Sequence, residues 1–160
     1  MRKILANLFE WYKRNYEINL YIVAGLFIWQ LVHLFWMTTN VALFRLLGHE
    51  FWNVGAFGNI LISVVDYTEI PAIILASLFY ISELRKELKW GSVVFLILLN
   101  SQWLHLFWIT DEIIVAQLTG SAVVTMPLWL SWFAIMLDYL ELPVMYDTIK
   151  RVVKSLQKTV

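Results

Sequence analysis

Four long apolar runs dominate the chain, at residues 19–44, 53–81, 91–116 and 123–146, separated by short polar stretches. A helix needs about 20 predominantly apolar residues to cross a hydrocarbon core of about 30 Å. Each run is long enough. Only helices and closed barrels satisfy all their backbone polar groups within lipid. Barrel strands alternate apolar and polar positions, and these runs do not alternate, so they are predicted to be helices. Ahead of them, Leu5, Leu8, Phe9 and Tyr12 recur at helical spacing among basic residues. That pattern predicts an amphipathic helix over 1–18, lying along the membrane interface.

The apolar pattern also repeats. An offset of 72 residues places Gln30–Thr38 (QLVHLFWMT) on Gln102–Thr110 (QWLHLFWIT), and Asp66–Pro71 (DYTEIP) on Asp138–Pro143 (DYLELP). Gly48 falls on Gly120 at the same offset. Two motifs sharing one ungapped offset point to tandem duplication of a two-helix unit. The units are placed at 19–88 and 91–160. Two spans per unit give both copies one orientation, related by a pseudo-two-fold axis along the membrane normal. The expected fold is all-α and integral to the membrane, a four-transmembrane-helix bundle in one compact domain.

Composition strengthens the membrane assignment. Hydrophobic residues make up 61% of the 160, charged residues 15%, and mean hydropathy is +0.69. Soluble domains average about 45–50% apolar and about 25% charged. Nine Trp and seven Tyr suit the aromatic belts of a bilayer. Charge then adds an orientation. Of the twelve Lys and Arg, Arg2, Lys3, Lys13 and Arg14 precede the first run, and Arg85, Lys86 and Lys89 lie between the second and third. Lys150, Arg151, Lys154 and Lys158 follow the fourth, leaving only Arg45 on the other side. The positive-inside rule therefore puts both termini in the cytoplasm. A formal net charge of zero offers nothing to nucleic acid. The absence of cysteine excludes disulfides, thiolate metal sites and thiol nucleophiles.

Against this apolar background the polar residues within the runs stand out, because ionisable groups in a membrane usually mark an ion path, a relay or a ligand. His33 and His105, Asp66 and Asp138, and Glu69 and Glu141 are the candidate metal ligands. Gln30, Gln102, Tyr67 and Tyr139 are candidates to support them or a bound cofactor. Gln30 and His33 are three apart, as are Asp66 and Glu69, so each pair shares a helix face. Counting 1.5 Å per residue brings His33 and Asp66 to about the same depth, with Gln30 level with Glu69. Each half is thus expected to set His against Asp and Gln against Glu.

Four buried carboxylates with no Lys or Arg among them must protonate or meet a cation. Bound divalent metal resolves the deficit, and these donors suit iron, manganese or zinc. Pro71 and Pro143, two residues after each Glu, predict a kink beside the site. Gly48 and Gly120 read as helix C-caps. Trp36 and Trp108 read as packing or interface anchors, His49 and Glu50 as outer-loop residues, and Asp111 and Glu112 as solvated near the outer surface.

The leading expectation is a membrane protein holding one or two transition-metal ions. A first alternative uses the same residues to transport protons or divalent cations. A second is a bis-histidine haem b protein with His33 and His105 as axial ligands. The plain alternative is interhelical hydrogen bonding without metal. Expected partners are the lipid bilayer and a metal ion or proton, with a homo-oligomer admitted and no nucleic acid. Catalysis on the metal is left open, since no residue identifies a substrate. No mid-membrane Lys is present for a retinal Schiff base, and no phosphate-binding loop occurs.

Overall fold

The computed structural model describes residues 2–49, 51, 55–120 and 127–159, and these are helical apart from short turns. Positions 53–54 and 123–126, at the starts of the second and fourth expected spans, lie outside the described residues, as does Glu50. Helix α1 (Arg2–Arg14) precedes α2 (Tyr16–Met37), with a turn at Asn15, whose side-chain amide donates to the Trp11 carbonyl at 2.9 Å. Its 22 residues make α2 about 33 Å long. A π-helical segment (Thr38–Ala42) and α3 (Leu43–Leu47) prolong it. The run ends on Gly48, whose φ of 77° is the left-handed conformation a helix C-cap needs.

Next come α4 (Gly55–Tyr67) and α5 (Glu69–Leu84), then α6 (Trp90–Asn100) and α7 (Gln102–Ile109). A second π-helical segment (Thr110–Val115) leads into α8 (Ala116–Thr119), which ends on Gly120 with φ 83°. Last are α9 (Leu128–Tyr139) and α10 (Leu142–Thr159). Among the described residues, three helical runs are long and apolar enough to cross a membrane: Tyr16–Leu47, Leu61–Leu84 and Trp90–Ile109. The fourth expected span, 123–146, starts on residues outside the described ones, and its described part is α9 and the start of α10.

The breaks have local causes. Proline lacks the N–H that would bond the carbonyl four residues back, and its ring crowds that carbonyl. For Pro71 and Pro143 the residues four back are Tyr67 and Tyr139, where α4 and α9 end. Two further irregularities have no proline. At Ser101, between α6 and α7, the hydroxyl donates to the Leu98 carbonyl at 2.6 Å and competes with the helix ladder. At the π-helical segments, Thr38 and Thr110 donate to the carbonyls of Leu34 and Leu106 at 2.6 and 2.7 Å. That back-bonding loosens the turn and favours the wider π geometry.

Helix α2 is central, packing against α4, α5, α9 and α10, while α5 also packs on α6 and α7 on α9. Phe27, Leu34, Ile73, Ala76, Leu99, Leu106, Val144 and Met145 are among the buried core residues. Helix α1 contributes Tyr12 to that core, and the Arg85 guanidinium lies 4.6 Å from the Phe9 ring centroid. The outward face of α2 is apolar, with Ile18, Ile22, Ile28, Trp29, Val32 and Phe35 exposed. Its inward face holds Asn19, Gln30 and His33. Apolar residues outside and polar residues inside reverse the arrangement of a protein in water. Lipid contact accounts for it.

Candidate metal centre

Six ionisable side chains from five stretches of helix meet in the interior. Helix α2 contributes His33, the end of α4 contributes Asp66, and Glu69 is the first residue of α5. Helix α7 contributes His105, α9 contributes Asp138, and Glu141 lies in the break before α10. All six are at most 6% exposed. The proline breaks matter here. An unbroken helix would carry its carboxylates along one straight stripe, whereas each break displaces the Glu relative to the Asp three residues earlier.

His33 Nδ1 contacts Asp66 Oδ1, and His105 Nδ1 lies 2.8 Å from Asp138 Oδ1. The other Asp138 oxygen, Oδ2, lies 3.6 Å from His33 Nε2, so this carboxylate faces both imidazoles. The ring centroids of His33 and His105 are 5.9 Å apart. His33, His105 and Asp138 form a buried group able to hold a metal ion, each offering one ligand atom, and these atoms lie within 4.8 Å of one another.

Each imidazole meets an aspartate through Nδ1, while the Nε2 atoms of both rings have no hydrogen-bond partner among the described residues. Buried polar atoms are nearly always satisfied, so these ring nitrogens beside carboxylate oxygens are candidate ligand atoms.

A second layer lies beside the first. Gln30 Nε2 donates to Glu69 Oε1 at 2.6 Å. The Glu141 carboxyl lies within hydrogen-bonding reach of the Glu69 carboxyl. Two carboxyls meet that closely only when they share a proton or flank a cation. The expected match of Gln102 with Glu141 does not form. Gln102 Nε2 donates instead to the Leu137 carbonyl at 2.7 Å. The break before α10 spans Leu140 and Glu141, one residue longer than the break at Thr68. Glu141 therefore turns toward Glu69 rather than toward Gln102.

The two tyrosines do not touch the His and Asp groups through their hydroxyls. The Tyr67 hydroxyl lies 2.9 Å from Thr110 Oγ1, and the Tyr139 hydroxyl lies 2.7 Å from Thr38 Oγ1. Each Thr hydroxyl has already given its proton to the carbonyl four residues back, so each Tyr is the donor. These bonds link α4 to the end of α7, and α9 to the end of α2. Thr38 and Thr110 were absent from the expected set, although both end the repeated Gln-x-x-His-Leu-Phe-Trp-x-Thr motif. The Trp36 ring lies 6.2 Å from the His33 ring and walls the cluster on that side, while Trp108 packs on Phe133 at 6.3 Å.

One outer acid departs from expectation. Asp111 is buried, not solvated. It follows the first residue of the second π-helical segment, and the wider turn rotates it inward. The Glu112 side chain lies outside the described ones, and His49 is exposed beside Phe51. No family model, curated protein or solved structure matches the chain, so the chemistry of this centre rests on its own residues.

Proposed function

We propose that this chain is an integral membrane protein that binds a transition-metal ion in the bundle interior. His33, His105 and Asp138 are the principal ligands, Asp66 adjoins them, and the Glu69 and Glu141 carboxyls form a layer beside them. Gln30, Gln102, Tyr67 and Tyr139 hold the surrounding frame. The observation that carries this is the convergence of three buried ligand atoms within 4.8 Å, with the Nε2 atoms of both imidazoles left without a hydrogen-bond partner among the described residues. Mixed imidazole and carboxylate donors favour zinc, iron or manganese over copper(I). X-ray absorption at the metal edge of the purified protein tests it. Mixed nitrogen and oxygen ligation supports the assignment, and an all-water spectrum rejects it.

The arrangement we infer is a four-helix bundle of two tandem hairpins, with both termini cytoplasmic. Two matched contacts and one matched backbone conformation support two-fold relatedness, each at positions 72 residues apart. His33–Asp66 matches His105–Asp138, Tyr67–Thr110 matches Tyr139–Thr38, and the αL Gly48 matches Gly120. The exchange of Thr and Tyr partners between halves is what a two-fold axis produces. Eleven of the twelve basic residues on one side support the orientation.

Cation transport is the second reading, favoured by the burial of Asp111 six residues beyond His105. A buried acid about 9 Å along the axis is a stepping point for a cation. Flux into proteoliposomes under a cation gradient separates transport from static binding. Haem b is disfavoured, because the Asp138 carboxylate faces both imidazoles where a porphyrin would have to lie.

A further inference from the structure

The polar interior divides into two layers of different donor chemistry. The first, described above, mixes imidazole nitrogen with the carboxylates of Asp66 and Asp138. The second holds Glu69, Glu141, Gln30 and Gln102, all at most 2% exposed. Its unpartnered atoms are Glu69 Oε2, Glu141 Oε1 and Oε2, Gln30 Oε1 and Gln102 Oε1. Every one is an oxygen. Each glutamine has given one N–H of its amide, Gln30 to Glu69 Oε1 and Gln102 to the Leu137 carbonyl. What remains is a set of buried oxygens that outnumbers the N–H groups left beside it.

We propose that Glu69 and Glu141, with the amide oxygen of Gln30 beside Glu69, form a second cation position that takes a hard divalent ion such as Mn²⁺, Mg²⁺ or Ca²⁺. Carboxylate and carbonyl oxygens without nitrogen suit these ions, whereas imidazole suits zinc and iron. Charge sets the valence. Asp66 and Asp138 with two neutral imidazoles balance one divalent ion, and Glu69 with Glu141 balance another. With one divalent ion at the imidazoles, Glu69 and Glu141 would have to hold protons instead, so the second ion competes with protonation and its binding releases protons. Arg151 on α10 is engaged by Asp147 and Glu83 at 2.6 and 2.9 Å. Glu69 and Glu141 lie outside the group of His33, His105 and Asp138 whose ligand atoms converge within 4.8 Å, so the two positions are neighbours rather than one.

The inference deepens the proposed metal site but does not depend on the imidazole position being filled. Its test uses the full chain in detergent, stripped with chelator and titrated with Zn²⁺ and Mn²⁺ together. Zinc is read by elemental analysis and bound manganese by its paramagnetic resonance. Glu69→Gln with Glu141→Gln should weaken Mn²⁺ at least about tenfold while zinc is retained, because ligand charge governs hard-ion affinity. His33→Ala with His105→Ala should do the reverse. Glu69→Ala with Glu141→Ala repeats the first test without amide oxygens able to coordinate. Far-UV circular dichroism checks that each variant keeps its helices. If both pairs lose both metals together, or if Mn²⁺ binding is unchanged without the two Glu carboxylates, the second position does not exist. If the stripped protein takes Mn²⁺ through the Glu pair but no zinc, the imidazole reading fails and this one stands.

Discussion

Two clusters of charge in this molecule, one half-buried at the basic end and one buried at the centre, both hold Asp and Glu carboxylates and end in opposite conditions. At the basic end, Arg151 of α10 donates to Asp147 at 2.6 Å and to Glu83 at 2.9 and 3.4 Å. The Tyr80 hydroxyl donates to Asp147 at 3.0 Å, and Ser92 donates to Glu83 at 2.7 Å. The guanidinium also lies 4.3 Å from the Phe79 ring centroid. Each carboxylate there meets a cation and a hydroxyl, so the network is closed and ties α5, α6 and α10 together. Burial works against the charged guanidinium, yet its bonds to Asp147 and Glu83 hold it more firmly protonated than usual. The central cluster has four carboxylates and two imidazoles, and among the described residues several of its polar atoms lack a hydrogen-bond partner. A closed network stabilises a fold, and an open one can take a ligand.

The comparison can be broken at several points. The largest expected effect is on metal. Asp138 faces both imidazoles, so Asp138→Asn should weaken zinc binding by at least about 100-fold, measured by competition with a chelator. An unchanged affinity would remove Asp138 from the ligand set. Next, Arg151→Ala should destabilise the protein by roughly 2–3 kcal/mol, because it strands two partly buried carboxylates. Metal affinity should not move, and denaturation in detergent measures the loss.

Opposite signs are expected for the two clusters in the metal-free protein. Glu141→Gln should stabilise by roughly 1–2 kcal/mol by removing an unpaired buried carboxylate, whereas Asp147→Asn should destabilise. Added divalent metal should abolish the Glu141→Gln gain. If both substitutions destabilise equally without metal, the central cluster is a closed network like the other. Smallest are the hydroxyl pairs. Tyr67→Phe and Tyr139→Phe should each cost about 1 kcal/mol, and by the same amount if the halves are related by two-fold symmetry. Clearly unequal losses would set the halves apart.

Much of this was legible before any coordinate. Continuous apolar runs marked the helices, Pro71 and Pro143 marked the breaks, and Gly48 and Gly120 marked the left-handed ends. Depth counting paired His33 with Asp66, His105 with Asp138, and Gln30 with Glu69, because a straight helix converts residue number into height. It failed where the helix stops being regular. Gln102 lost its expected partner because the break before α10 is one residue longer than its counterpart. Asp111 turned inward because a π turn altered the angular register that α-helical counting assumes. Thr38 and Thr110 went unnoticed because a hydroxyl at the end of an apolar motif carries no charge to demand a partner. The break at Ser101 has no equivalent in the first half, where Trp29 continues α2. Repetition could not have pointed to it.

The most direct measurement is the metal content of purified wild-type protein beside that of the His33→Ala/His105→Ala variant, after dialysis against metal-free buffer. The account predicts stoichiometric zinc, iron or manganese in the wild type and its loss in a variant that keeps its helical spectrum. Wild-type protein that takes up no transition metal, even when zinc is supplied, would contradict it.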